Sequence, residues 1–181
     1  MPLYWIRGGF DMDNEAKKRL DLLFDDNSFV ETGEEIREGV ITGYGRVDGY
    51  LVFAYAQDRS AAGGSIGIAH ALKIGRIFDM ALKAGAPVVG FMDSSGIRIE
   101  RDAGGADAVS ALYRAMLGTS GLIPRITAVF GQAGGSLSLI AGMSDIVCAE
   151  KDARYYVNSP DAIKGNFRDR EDCASAAYQY E

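Results

Sequence analysis

The stretch from Arg125 to Met143, RITAVFGQAGGSLSLIAGM, constrains the fold more than any other part of the chain. Its apolar run Ile126 to Phe130, bounded by Pro124 and Gly131, predicts a short buried strand. A turn carrying Gly131, Gly134 and Gly135 follows, and Ser136 to Met143 predicts a helix that is apolar on nearly every side and therefore buried. A strand that feeds a helix through glycines aims unpaired backbone N–H groups, with the positive end of the helix dipole, at one spot. With no Cβ in the way, a ligand can approach that backbone closely. Such a turn stabilises a phosphate, an enolate or a thioester oxyanion without any charged side chain. Glycine selected only for tight strand–helix packing leaves the same letters.

The rest of the chain repeats this grammar. Glu15 to Phe24 predicts a short helix, broken by Asp25-Asp26-Asn27-Ser28. Phe29 and Val30 start a segment that turns acidic at Glu34 and Glu35. Gly39–Val47 and Tyr50–Ala56 predict antiparallel strands joined by an Asp48-Gly49 hairpin. Gly63-Gly64-Ser65 then opens a long helix to Lys83, with Ser65 as its cap, Gly85 as its C-terminal stop and Pro87 beyond. Pro87–Met92 predicts a strand, Asp93–Gly96 a turn, and Ala106–Ser120 a helix ended by Gly121. After the central stretch come strands at Asp145–Ala149 and Arg154–Val157, a helix capped by Asn158-Ser159-Pro160 and starting near Asp161, and a frayed helix in ASAAYQY. Three strands thus end in glycine turns ahead of helices, at Gly63-Gly64, at Gly96 and at Gly134-Gly135. In right-handed βα units, turns after parallel strands lie on one edge of the sheet, which gathers three sets of backbone donors.

At 181 residues the chain is expected to be one domain, residues 1–181. Its net charge of −6 argues against nucleic acid or an anionic membrane surface as partner. No apolar run is long enough for a membrane span and no signal peptide is apparent, so a cytoplasmic setting without membrane insertion is expected. Two cysteines, Cys148 and Cys173, and a single histidine, His70, argue against a disulfide framework and against zinc ligation. Gly63-Gly64-Ser65-Ile66-Gly67 matches the nucleophile-elbow pattern of serine hydrolases. His70 is five residues on, however, about 140° around a helix of 3.6 residues per turn, and no later histidine exists to complete a triad. Gly43-Tyr44-Gly45 lacks the third glycine of a dinucleotide fingerprint. His70 is read as a satisfied, partly buried side chain in preference to a proton shuttle, and Asp93 as a cap for its own turn. Arg98, Glu100, Arg101 and Asp102 either bind a ligand's phosphates or form a solvated charged loop; the sequence alone does not choose.

Five segments in order, RLDLLFDDNSFVE, EGVITGYGRVDG, AQDRSAAGGSIGIAHALKIGRIFDMALKAGAPVVGFMDSSGIRI, SGLIPRITAVFGQAGGSLSLIAGMSDIV and YVNSPDAIKG, resemble the N-terminal, acyl-CoA-binding half of biotin-dependent acyl-CoA carboxyltransferases of the propionyl-CoA carboxylase β-subunit type. The carboxyltransferase subunits of sodium-pumping decarboxylases are similar. The resemblance covers roughly residues 19–165 and implies an α/β, crotonase-like (ClpP/crotonase) spiral of β-β-α units, truncated at its C-terminal end. It also implies an acyl-CoA substrate and a carboxyl group passed between N1 of biotin, carried on a partner protein, and the acyl α-carbon. A backbone oxyanion hole would hold the enolate. Implied partners are a second carboxyltransferase half or subunit and a biotin carrier protein, in a homo- or hetero-oligomer.

Carried onto this chain, the family's Ala-Gly-Gly turn falls on Ala133, Gly134 and Gly135, and its Asp-Ser-Gly-Gly-Ala-Arg segment on Asp93 to Arg98. The expected oxyanion donors are the N–H groups of Gly134 or Gly135 and of Gly96 or Ile97. Ala133, Ser94, Ser95, Arg98, Gly63 and Gly64 are expected to bind the acyl-CoA. Two departures stand out: Ser95 and Ile97 replace a glycine and an alanine, and Ile97 adds bulk where the acyl-CoA would approach; Glu100-Arg101-Asp102 replaces Gln-Glu-Gly. The family's biotin-binding half is absent from these residues. Two alternatives follow: a biotin-independent crotonase-like decarboxylase or hydratase, with Glu100 and Asp102 as its acids, or a non-catalytic scaffold subunit of a carboxylase complex.

Overall fold

The computed structural model describes residues 14–34, 39–99, 104–158 and 174–179. One seven-stranded mixed sheet carries them, with helices on both faces. On one face lies α1 (Glu15–Leu23), started by Asn14, whose side chain accepts from the Lys17 N–H. It buries Ala16 and Leu20 against Val52, Ala54, Ala56, Val89 and Phe91.

The antiparallel part comprises β1 (Val30–Thr32), β2 (Val40–Val47) and β3 (Tyr50–Gln57). Asp48 and Gly49 both take positive φ, 51° and 82°, as the expected hairpin requires. The Asp25 carboxylate accepts from both of their N–H groups at 2.9 Å, so the acidic break after α1 also clamps this turn.

From β3 onwards the sheet is parallel: β4 (Val88–Ser94) beside β3, and β5 (Arg125–Gly134) beside β4. Their crossover helices, α2 (Ile68–Ala84) and α3 (Gly105–Thr119), cover the face opposite α1. Ile74, Ile77, Phe78 and Ala81 of α2 are buried in one cluster with Phe53, Tyr55, Val88 and Met92. Burying the isoleucine and phenylalanine side chains contributes roughly 1.5–3 kcal/mol each, which is what holds the helix down. After α4 (Ser136–Gly142), β6 (Ile146–Ala149) and then β7 (Arg154–Tyr156) pair with successive parts of β5; α5 (Ala176–Gln179) follows.

Three expectations are corrected. The helix after Gly63-Gly64 begins at Ile68; Ala62–Gly64 forms a single 3-10 turn and Ser65 is extended, so Ser65 is not the cap. That place belongs to Gly67, whose N–H donates to His70 Nδ1 at 3.0 Å, and the buried histidine is thereby satisfied. The β5 strand runs on through Gly131, which at φ 57° bends it from β6 towards β7 instead of ending it. The α4 helix is not buried all round: Leu139 is 48% exposed. The helix expected near Asp161 lies outside the described residues.

An ion pair between buried Arg125 and exposed Asp145 locks the start of β5. Arg125 donates through Nη2 and Nε to the Asp145 carboxylate at 2.8 and 3.2 Å, and through Nη1 to the Met116 carbonyl at the end of α3. These bonds hold the Asp145 carboxyl below the usual aspartate range. A depressed folded-state pKa stabilises the protein above the unfolded value and loses that contribution as pH falls through the folded one. Asp145→Asn should therefore melt lower than the wild type at pH 7. In a series of thermal melts, that gap should close as the pH drops below the ordinary aspartate range.

Candidate active site

The parallel order β3-β4-β5 brings the three glycine turns to one edge, as the sequence implies, and specific contacts hold them there. The first and second turns are joined by the Ser95 N–H donating to the Gly63 carbonyl at 3.0 Å and by Ser94 Oγ donating to the Gly64 carbonyl at 2.7 Å. Gly64, at φ 68°, lies so close to the Asp93 carbonyl that no Cβ would fit. The second and third turns meet where Gly96, at φ 124°, faces Gly134. A Cβ on Gly96 would stand 3.5 Å from the Gly134 carbonyl oxygen, and one on Gly134 would stand 3.0 Å from the Ser95 oxygen.

Within this assembly the four candidate donors do not fare alike. The Gly135 N–H donates to the Tyr156 carbonyl at 2.9 Å, and the Gly96 N–H to Ser94 Oγ at 3.2 Å. Gly134 sits inside the β5 ladder, in register with Tyr156. Ile97 forms a parallel bridge with Ile66 in which the Gly96 carbonyl accepts from Ile66 and the Arg98 N–H donates to the Ile66 carbonyl. That pattern turns the Ile97 N–H away from Ile66, and among the described residues none accepts from it. On the third turn, Gly135 at φ 63° and ψ −134° swings the chain into α4, whose first amide, Ser136, has no acceptor within the helix. Among the described residues, the Ile97 and Ser136 amides are thus two at this edge with no backbone acceptor. Ser136 was not among the sequence candidates; a partner strand that captures Gly135, 21 residues on, decides the matter, and no local signal reveals it.

Of the remaining candidates, Ala133 and Ser94 are fully buried and pair with each other across β4 and β5, which makes them scaffold, not ligand contacts. Ser95 is exposed at the edge. Arg98 is partly exposed and its Nε donates to the Ser65 carbonyl at 3.3 Å. Glu100, Arg101 and Asp102 lie outside the described residues. Asp93 does not cap its own turn: it lies within β4, 5% exposed, and its carboxylate faces Arg19, Arg59 and the Gln132 N–H. Burial raises its pKa, against the pull of Arg19 and Arg59. Among the described residues no group of acids, histidines or cysteines is arranged to hold a metal ion.

A family model described as carboxyl transferase domain matches residues 14–173. The methylmalonyl-CoA decarboxylase subunit alpha of Veillonella parvula is 36% identical over 165 residues, which span 82% of this chain and 32% of that protein. The propionyl-CoA carboxylase beta chain of Cereibacter sphaeroides is 33% identical over 165 residues, with the same shares. The chain thus spans about a third of the length of the curated relatives it matches. Among solved structures, the transcarboxylase 12S with hydrolysed methylmalonyl-coenzyme A bound superposes with a TM-score of 0.80 at 29% identity, covering 83% of this chain and 33% of its own. A Pseudomonas malonate decarboxylase hetero-dimer gives a TM-score of 0.81 over 91% of this chain and 74% of its own; at 22% identity that likeness concerns the fold alone. The fold is crotonase-like, as expected from the sequence.

Ser94 is the bracket between the first two turns. Ser94→Ala should leave the Gly64 carbonyl and the Gly96 N–H without their partner and cost about 1–3 kcal/mol per orphaned group, read as a lower urea midpoint.

Proposed function

The chain belongs to the carboxyl transferase domain family, and on that premise we propose that it binds an acyl-CoA and stabilises its enolate while a carboxyl group joins or leaves the α-carbon. The observation that carries this reading is the contact between Gly96 and Gly134, which sets the Ile97 and Ser136 amides on one edge with no side chain between the turns.

The chemistry follows from where charge develops. Whether the α-carbon gains a carboxyl group or loses one, it passes through a carbanion conjugated with the thioester, and the negative charge grows on the thioester oxygen. Two amide donors aimed at that oxygen, backed by the positive end of α4, stabilise the enolate more than the neutral ground state. A well-placed donor of this kind is worth about 3 kcal/mol. Both directions of reaction share this intermediate, which fits relatives named as a carboxylase and as a decarboxylase. No side-chain nucleophile is needed, and Ser65, 8% exposed with its carbonyl engaged by Arg98, is not placed as one.

Ile97 Cβ and Cδ1 lie 3.5 Å from where a Cβ would stand on Gly105 at the start of α3, so the Ile97 side chain flanks the approach together with Ser95 and Arg98. These three are assigned to the CoA side of the ligand. Biotin, carried on a partner protein, supplies or accepts the carboxyl group when docked, and a second carboxyltransferase half or subunit brings it to the edge within an oligomer. A cytoplasmic setting fits this cargo, and among the described residues no helix is long and apolar enough to cross a membrane.

Calorimetry with acetyl-CoA and propionyl-CoA tests the reading. Micromolar binding is expected, weakened at least about tenfold in Gly135→Val, because a branched residue cannot hold the φ and ψ that direct the Ser136 amide. Circular dichroism checks that the variant is folded. A folded wild-type chain that binds neither thioester overturns the proposal.

A further inference from the structure

Asp93 stands immediately ahead of the second turn, yet its carboxylate serves the other two. Oδ1 accepts from the Gln132 N–H at 3.3 Å, one residue before Ala133-Gly134-Gly135. The same oxygen accepts from Arg59 Nη1 at 3.3 Å, in the segment that leads from β3 to Gly63-Gly64. Oδ2 faces Arg19 Nη2 at 3.6 Å, on α1. The Asp93 N–H donates to Gln57 Oε1 at 3.1 Å, at the last residue of β3. A single buried carboxylate is thereby tied to the chain just upstream of all three glycine turns.

The surroundings are shaped for that carboxylate. Gly131, at φ 57°, leaves the room in which it meets Arg59: a Cβ there would stand 2.7 Å from Arg59 Nη1 and would collide with Asp93 Oδ1. Arg19 lies over the Phe130 ring, 4.3 Å from its centre to the guanidinium carbon, and also bonds Glu15 at 3.0 Å, so the cation is held from two further sides. Hydrogen bonds to a charged group in such a place are the strong ones, and their geometry is directional. Ser94 brackets the turns from the opposite face of the same strand, through Gly64 and Gly96.

We infer that Asp93 is the positioning residue of this site: it sets the spacing of the three turns and, through them, of the Ile97 and Ser136 amides. It touches no reacting atom. The functional half of this inference rests on the acyl-CoA reading above; the structural half does not.

The test uses the full chain and the variant Asp93→Asn, which keeps an oxygen acceptor and nearly the same shape but removes the charge. Amide hydrogen exchange is followed without ligand. Exchange at Ser95, Gly96 and Gly135, whose N–H groups make the bonds within and beside the turns, should quicken about tenfold more than at Ala54 and Tyr55 in the core of β3, as loss of charge-assisted bonds implies. Equal acceleration everywhere, as a general loss of stability produces, or no acceleration, overturns the inference. Asp145→Asn, remote from the turns, serves as the reference for general destabilisation. Calorimetry then compares acetyl-CoA with free CoA. The wild type should favour the thioester, and Asp93→Asn should erode that preference while binding free CoA within about twofold of the wild type, since only the thioester uses the two amides. If the turns loosen but the wild type shows no preference for the thioester, the acyl-CoA reading fails and the positioning role stands. If the preference exists and survives in Asp93→Asn, the inferred link to the amides is wrong.

Discussion

The close approach of glycine backbones is the constraint on which the site depends. Gly96 and Gly134 face each other across β4 and β5, and Gly64 presses on the Asp93 carbonyl on the other side. Alanine collides with backbone at Gly64 and crowds it at Gly134, and at Gly96 and Gly64 it must adopt a φ that L-residues disfavour. The close approach is possible because β3, β4 and β5 are parallel neighbours, so their C-terminal ends share one edge and their crossover helices leave that edge free. Topology brings the turns together, and the missing side chains let them touch.

What the contact produces is a division of labour among amides. Most of the N–H groups at this edge bond within the scaffold: Ser95 to Gly63, Gly96 to Ser94, Gly135 to Tyr156, Gln132 to Asp93. In the proposed reading, those bonds hold the scaffold so that the Ile97 and Ser136 amides meet charge on a ligand without reorganising. The buried polar side chains here follow the same logic. Ser94 and Asp93, adjacent on one strand, point to opposite faces of the sheet and secure the turns from both sides.

Much of this was legible in the sequence because local signals carried it. Asp48-Gly49 specified the hairpin, Gly85 the end of α2, and the apolar runs the parallel strands; the resemblance supplied the crotonase-like order of units. Where local signals mislead, one letter serves two geometries. Gly131 looks like a strand's end but bends a strand that continues, and Gly63-Gly64-Ser65 looks like a helix start but makes a 3-10 turn before the helix that Gly67 and His70 cap. The glycines of the site and the Ile97 amide were found from sequence, but the Ser136 amide was not. That choice belongs to Tyr156, on a strand whose pairing no local pattern encodes. The partners of Asp93 were hidden for the same reason: Arg59 lies 34 residues before it and Gln132 39 after.

The central claim is that the Ile97 and Ser136 amides polarise a thioester carbonyl. Carbon-13 NMR of acetyl-CoA labelled at the carbonyl carbon, free and bound to this chain, tests it most directly. Two donors on the oxygen withdraw electron density from that carbon, so the bound resonance should move downfield of the free one, and the amide protons of Ile97 and Ser136 should shift with it. A carbonyl resonance unchanged in a complex that forms would contradict the account, because the ligand would then be held without the two amides touching its oxygen.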